Sequence, residues 1–104
     1  MKVTVQSPFP QRGPTSPATS ITLSGIFPGA KAYLERHGCM VTMGNGEVTI
    51  VYPEGATSTE LYPRTRYERY EIKLPDGIEL HESRPRFFQG ENCLYLPADA
   101  KNEP

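Results

Sequence analysis

Prolines are spread along the whole chain: there are eleven in 104 residues, about twice the usual frequency. Each proline fixes the φ angle of its residue and removes one backbone hydrogen-bond donor. Long helices and long central strands are therefore excluded, and the elements between the prolines must be short. The length suits one domain and leaves little room for a second.

The overall composition is that of a globular chain with little net charge. Hydrophobic residues make up 37% and charged residues 22%, which is polar but not typical of a disordered protein. The formal net charge is -1. General binders of nucleic acids or anionic membranes normally carry a clear positive excess, so the charge argues against both classes.

The clearest structural signal is a β-hairpin around Asn45-Gly46. A type I′ turn at this dipeptide sets the register of the two flanking strands. That register places six residues on one face and pairs Met43 with Val48, Val41 with Ile50, and Cys39 with Tyr52. A shift by one residue would break this agreement, so the pattern supports the register.

A second hairpin is predicted around Pro75-Asp76-Gly77, between strands at 67–74 and 78–82. A three-residue loop with glycine in the left-handed position suits this sequence. The pairs on one face are then Leu74 with Ile78 and Ile72 with Leu80, and those on the other are Lys73 with Glu79 and Glu71 with His81. This register places opposite charges across from one another.

The sequence predicts an α+β fold that is mostly β. Besides the two hairpins, it contains a predicted helix over 28–37 and short strands at 21–23 and 93–96. We expect the two hairpins and the edge strands to form a sheet or a small part-open barrel, with the helix packed on it. The predicted domain covers 21–97. A flexible proline-rich arm at 1–20 precedes it and a polar tail at 98–104 follows it, and 54–66 and 83–92 are predicted as long loops.

Residues suited to metal binding or nucleophilic catalysis are present but scattered. His37, Cys39, His81 and Cys93 do not have the spacing of a zinc site. Both cysteines fall inside predicted strands, and no Gly-x-Ser-x-Gly motif is present. We therefore expect no metal, no cofactor and no enzymatic activity; a small hydrolase or metal-binding protein is the third alternative.

Two clusters of arginine and aromatic residues are the candidate site, because pairing of the second hairpin brings both to one end of the sheet. Their members are Arg64, Arg66 and Tyr67, and Arg84, Arg86 and Phe87. Such residues anchor protein interfaces, and they also contact phosphates and stack on bases. Arg69 and Lys73 are expected to pair with Glu71 and Glu79 on a solvated strand face.

The predicted function is therefore that of a small regulatory or accessory protein that binds a protein partner through these loop residues. The alternative is a nucleic-acid-binding regulator that uses the same clusters, for example of toxin–antitoxin or mobile-element type. The first residues lack the apolar run of a signal peptide, and no apolar run is long enough to span a membrane, so a cytoplasmic location without a membrane partner is expected. The sequence leaves open whether the chain forms a homodimer.

One segment resembles a known family. Ile21-Thr22-Leu23-Ser24-Gly25, Leu34-Glu35 with Gly38, and a hairpin ending at Val51 resemble the AbrB-like segment of SymE-type toxins, over roughly a third of the chain. That family usually has a Gly-Asp or Gly-Thr step between the helix and the next strand, which this sequence lacks. No residue roles are transferred from it, and the resemblance adds only to the nucleic-acid alternative.

Overall fold

The structure is a computed structural model that describes residues 11–63, 65–87 and 90–102. It contains eight strands, one α-helix and one 3₁₀-helix. In chain order the elements are β1 (Gln11–Pro17), β2 (Ser20–Leu23), α1 (Ala30–Arg36), β3 (Met40–Gly44), β4 (Glu47–Val51), β5 (Thr57–Tyr62), β6 (Tyr67–Lys73), β7 (Glu79–Pro85), β8 (Cys93–Tyr95) and the 3₁₀-helix Ala98–Asn102. The predicted α+β class, mostly β, is confirmed.

The strands form two antiparallel sheets. The order is β2-β4-β3 in the three-stranded sheet and β1-β5-β6-β7-β8 in the five-stranded sheet. The described strands do not close into a barrel. One apolar core joins both sheets, because Ile21 and Ile50 of the smaller sheet belong to the same buried cluster as Ile72 and Leu80 of the larger one. The faces that carry these residues are called the inner faces.

The first predicted hairpin is present with the expected register. Met43 pairs with Val48 and Val41 pairs with Ile50. Asn45 has a φ of 54° and Gly46 a φ of 76°, as a type I′ turn requires. All the predicted core residues of this hairpin are buried except Met43, which is exposed near the end of the strand.

The second predicted hairpin is also confirmed. Ile72 pairs with Leu80, and the Leu74 N–H donates to the Ile78 carbonyl at 2.9 Å. Gly77 closes the loop with a φ of 95°, in the left-handed region that glycine tolerates best. The second strand of the hairpin runs on to Pro85, into the predicted loop at 83–92.

Helix α1 is shorter than predicted and lies against β3. Its buried residues are Ala30, Tyr33 and Leu34. At its C-terminal end, Nδ1 of His37 lies 2.6 Å from Oδ2 of Asp76, in the turn of the second hairpin. This contact lowers the pKa of the Asp76 carboxyl and links the helix to the larger sheet.

Three elements lie where the sequence predicted irregular structure. Strand β1 falls within the predicted flexible arm, β5 within the predicted loop at 54–66, and the 3₁₀-helix, with Ala100 buried, within the predicted tail. Strand β1 includes Pro14 and Pro17, which an edge strand tolerates because one side of its backbone needs no ladder partner. Its register with β5 shifts between Arg12 and Thr15, so a bulge accommodates the first of these prolines. None of the described helices is long and apolar enough to cross a membrane.

Strand β1 is attached to the sheet by a side-chain pair as well as by its backbone. Both terminal nitrogens of Arg12 donate to the two carboxylate oxygens of Glu71 on β6, and the Nη2–Oε2 distance is 3.0 Å. Glu71 is buried, and the hydrogen bonds from Arg12 lower the pKa of its carboxyl below the ordinary value of 4.5. The charged form of Glu71 therefore stabilises the docked strand.

We expect Arg12→Ala to lower the hydrogen-exchange protection factors of β1 amides severalfold at neutral pH. A carboxyl whose folded pKa is lowered contributes stability above its unfolded pKa, and that contribution is lost as the pH falls through the folded pKa. The difference between the variant and the wild type should therefore disappear on acidification from pH 4.5 downwards. Thr15→Ala removes an uncharged bond to Thr59 and is the control, because its effect should not depend on pH. A difference for Arg12→Ala that persists unchanged at about pH 3 would exclude Glu71 as the titrating group.

Candidate binding surface

The two arginine and aromatic clusters lie together at one end of the five-stranded sheet. Tyr67 begins β6 and pairs with Pro85 at the end of β7. Beyond this pair, the Arg86 N–H donates to the Arg66 carbonyl at 2.9 Å. The described members are therefore close together along the backbone, as the hairpin register predicts, and the Arg84 side chain is the one that turns to the other face. Arg64 lies outside the described residues.

Arg86 and Phe87 form the exposed tip of this end. Nη1 of Arg86 donates to the Thr65 carbonyl at 3.2 Å, and the guanidinium carbon lies 5.4 Å from the centre of the Phe87 ring. This is the distance of a cation–π contact. Phe87 is 62% exposed, which is unusual for a large apolar side chain. The Arg86 guanidinium therefore lies over the Phe87 ring, and both groups are exposed at the surface.

Arg84 lies elsewhere, because alternation along β7 turns it to the inner face of the sheet. Its Nε donates to Oε1 of Glu82 at 3.0 Å, and its Nη2 donates to the Ser20 carbonyl at 2.9 Å. The carboxylate and carbonyl partners hold the guanidinium between the two sheets. Arg84 is partly exposed but is held by contacts to both sheets, so it does not belong to the surface on the outer face.

A groove leads from the arginine end across the outer face of the five-stranded sheet. Its volume is about 330 Å³. A second groove of about 370 Å³ adjoins it and shares Arg69, Ser83 and Tyr95. Tyr95 on β8 is 56% exposed. The residues that line the first groove are Thr65, Tyr67, Arg69, Ser83, Cys93 and Tyr95.

Three arginines at this surface have no carboxylate partner within 4.0 Å among the described residues: Arg66, Arg69 and Arg86. Arg69 was expected to pair with Glu71 on the same strand face. Instead, both carboxylate oxygens of Glu71 accept hydrogen bonds from Arg12 of β1. Among the residues that the structure describes, Arg69 is therefore without a carboxylate and can contact another molecule. The arginine surface consists of Tyr67, Arg69, Arg86, Phe87 and Tyr95. Arg66 adjoins it through its backbone carbonyl, which accepts from Arg86.

The sequence did not predict Arg69 and Tyr95 as site residues. Arg69 stands two positions after Tyr67, so strand alternation alone places both on one face. Tyr95 reaches this face because β8 pairs with β7, with His81 opposite it. The position of Arg69 could therefore have been predicted from the sequence, whereas that of Tyr95 depends on the pairing of β8 with β7 across residues 86–92.

The two cysteines differ in accessibility. Cys39 is buried, and burial raises the pKa of its thiol to about 11, with a smaller contribution from Asp76. Cys93 is half-buried and lines the groove of the arginine surface. A thiol reagent should therefore modify Cys93 before Cys39.

A cluster of possible metal ligands lies farther along the same face. The ligand atoms of Glu71, Glu79 and His81 all lie within 4.8 Å of one another. Two carboxylates and an imidazole are a common ligand set for divalent cations. However, Arg12 bonds both oxygens of Glu71, so a cation would have to displace this guanidinium.

No family model, curated protein or solved structure matches the chain.

Proposed function

We propose that the chain is a non-enzymatic accessory protein that binds an acidic segment of a protein partner on its arginine surface. One observation carries the proposal: Arg69 lines a groove with Tyr67 and Tyr95, Arg86 lies against Phe87, and neither arginine has a carboxylate partner in the described part of the chain. Two of these aromatics, Phe87 and Tyr95, are more than half exposed.

The chemistry of these side chains favours a carboxylate-bearing ligand. A guanidinium presents a planar fork of N–H donors that matches a carboxylate, and such charge-assisted bonds are stronger than neutral ones. Tyrosine, phenylalanine and arginine also supply much of the binding energy at protein interfaces. The groove between Tyr67, Arg69 and Tyr95 is concave, so a peptide segment can bind in it.

The charge distribution favours a protein over a nucleic acid. The chain as a whole carries a net charge of -1, so the positive character is local to this end of the sheet. The same outer face carries Glu79 next to His81, at the far end of the grooves. A phosphate backbone that follows the face would meet that carboxylate, whereas a short acidic segment can end before it.

Site-specific photo-crosslinking tests the proposal. A benzoylphenylalanine in place of Tyr95 should capture one or a few polypeptides from an extract of the source cells. The same group in place of Lys31, an exposed position on α1, is the control and should not capture them. The captured protein is then purified and its affinity for the chain is measured by calorimetry.

Arg69→Gln and Arg86→Gln should each weaken that affinity by about tenfold or more, because each removes a charged contact to the acidic segment. Lys31→Gln is the matched control and should leave the affinity unchanged. Alkylation with N-ethylmaleimide should block binding by the wild type and not by Cys93→Ser, since Cys93 lines the groove.

Two results would contradict the proposal. One is equal capture from the Tyr95 and Lys31 positions. The other is tight binding of labelled DNA or RNA that weakens by orders of magnitude between low and physiological salt, measured by fluorescence anisotropy. That second result would assign the arginine surface to nucleic acid.

A further inference from the structure

The three-stranded sheet has an edge that its sequence does not protect. Strand β3 is the last strand of that sheet, and no described strand pairs with its outer side. Its five residues, Met-Val-Thr-Met-Gly, contain neither charge nor proline. Natural edge strands usually carry such residues, which prevent pairing with another chain. The edge strand β1 of the larger sheet has them, in Arg12, Pro14 and Pro17.

Large apolar side chains are exposed around this edge. Met40 is 65% exposed and Met43 is 54% exposed. Val51 pairs with Met40 and is also exposed. A neutral edge strand between exposed methionines is suited to pairing with a further strand.

The hairpin turn determines which backbone groups point outward. In a type I′ turn the carbonyl of the first residue accepts from the N–H of the fourth, so Gly44 and Glu47 form a hydrogen-bonded pair. Hydrogen-bonded and non-hydrogen-bonded pairs alternate along an antiparallel ladder. Thr42 therefore points its N–H and C=O towards β4. The corresponding groups of Val41 and Met43 point away from β4, at the free edge.

We propose that this edge pairs with the same edge of a second copy of the chain, about a two-fold axis through Thr42. An antiparallel pairing centred there places Val41 opposite Met43 of the second copy, and Met43 opposite Val41. Each chain presents two outward N–H groups and two outward carbonyls, and all eight of these groups then have partners. The result is a continuous six-stranded sheet.

The side chains of β3 are compatible with this self-pairing. Thr42 faces its own copy across the axis in a non-hydrogen-bonded pair, where the side chains are closest. On the inner side, exposed Met43 gains an apolar neighbour in Val41 of the second copy. On the outer side, the proposed pairing places Met40 opposite Gly44 of the second copy, where the missing side chain leaves room for the methionine. No like charges meet, so one neutral strand serves both halves of a symmetric interface. This dimer uses a different sheet from the arginine surface and does not rest on the proposed partner.

Sedimentation equilibrium gives the first test. The wild type should shift with concentration from its chain mass of 11.6 kDa to about twice that mass. Thr42→Lys places two ammonium groups across the axis and should raise the dimer dissociation constant by about tenfold or more. Thr15→Lys, at an exposed threonine of the other sheet, adds the same charge and should leave the constant unchanged. Circular dichroism spectra establish that both variants fold.

Disulfide trapping tests the register. In a Cys93→Ser background, Thr42→Cys should give a covalent dimer with oxidised glutathione, because Cα atoms in a non-hydrogen-bonded pair are about 4.5 Å apart, within disulfide range. Met40→Cys should not, because its two copies would lie about 13 Å apart along the strands. A wild type that stays monomeric at all concentrations would overturn the proposal. So would a dimer that Thr42→Lys does not weaken, or one trapped equally well at position 40.

Discussion

Replacing Ile50 with alanine is expected to lower the free energy of unfolding by about 3 to 4 kcal/mol. Ile50 lies in the central strand of the three-stranded sheet and is 0% exposed. It lies opposite Ile21 on one side and Val41 on the other, and the same core cluster contains Leu34 of α1. Truncation removes three carbon atoms and leaves a cavity that three elements cannot easily close.

The measurement is urea-induced unfolding at one protein concentration, followed by circular dichroism. Val51→Ala is the matched control, because Val51 is the next residue on the same strand and faces outward. It should cost about 1 kcal/mol or less, and Ile50→Val should cost about 1 kcal/mol. If Ile50→Ala were no more costly than Val51→Ala, the packing of the two sheets around Ile50 would be wrong.

The two hairpins could be predicted from the sequence because their information is local. Asn45-Gly46 and Pro75-Asp76-Gly77 determine turn geometry within a few residues, and alternating apolar residues determine the register on either side. Each of these signals agrees with its neighbours, which makes a prediction from sequence reliable.

Strands β1 and β5 could not be predicted in this way. Residues 11–17 contain two prolines and no aliphatic side chain, and 57–62 begins with Thr-Ser-Thr-Glu. Neither segment has a strict apolar alternation. Strand β1 is a strand because it pairs with β5, which is distant in sequence. Strand β5 lies between this distant partner and β6, the next strand along the chain. A pattern confined to one segment does not contain that information.

In the candidate site, too, the features that depend on local sequence could be predicted and those that depend on distant residues could not. The second hairpin brings Tyr67 and the end of β7 together, so the shared position of the two clusters followed from a local register. The roles of Arg84 and Arg69 did not follow from this local register. Arg84 turns inward to a buried carboxylate. Arg69 has no carboxylate partner among the described residues, because Arg12, far away in sequence, binds Glu71.

Glu82→Ala is expected to lower the free energy of unfolding by about 3 kcal/mol, because it leaves two donors between the sheets without their acceptor. Glu82 is 3% exposed on the inner face of β7. One carboxylate oxygen accepts from the hydroxyl of Tyr52, which follows β4, and the other accepts from Nε of Arg84 at 3.0 Å. Arg84 also donates to Ser20 of β2, so this carboxylate connects both sheets.

The expected loss of unfolding free energy comes mainly from the two hydrogen-bond donors that Glu82→Ala leaves without an acceptor. Burial, and next the charge of Glu82, raise the pKa of the Tyr52 hydroxyl well above its ordinary value of 10.0. The hydroxyl therefore stays protonated, and without Glu82 it remains a buried donor that has lost its acceptor. A tyrosine with a raised folded pKa contributes stability below its unfolded pKa, and that contribution is lost as the pH rises above 10.0. Arg84 is partly exposed and can regain water, which limits the loss to about 3 kcal/mol.

A double-mutant cycle with urea unfolding separates these contributions. Tyr52→Phe should lower the free energy of unfolding by about 1 kcal/mol, and this effect should shrink in the Glu82→Ala background, because the two side chains act through one hydrogen bond. Glu79→Ala is the control on the same strand, where the side chain faces outward, and it should cost about 0.5 kcal/mol or less. Equal costs for Glu79→Ala and Glu82→Ala would show that the buried carboxylate does not hold the sheets together. A large cost for Glu82→Ala with strong coupling to Tyr52 would show that a polar network, as well as the apolar core, joins the two sheets.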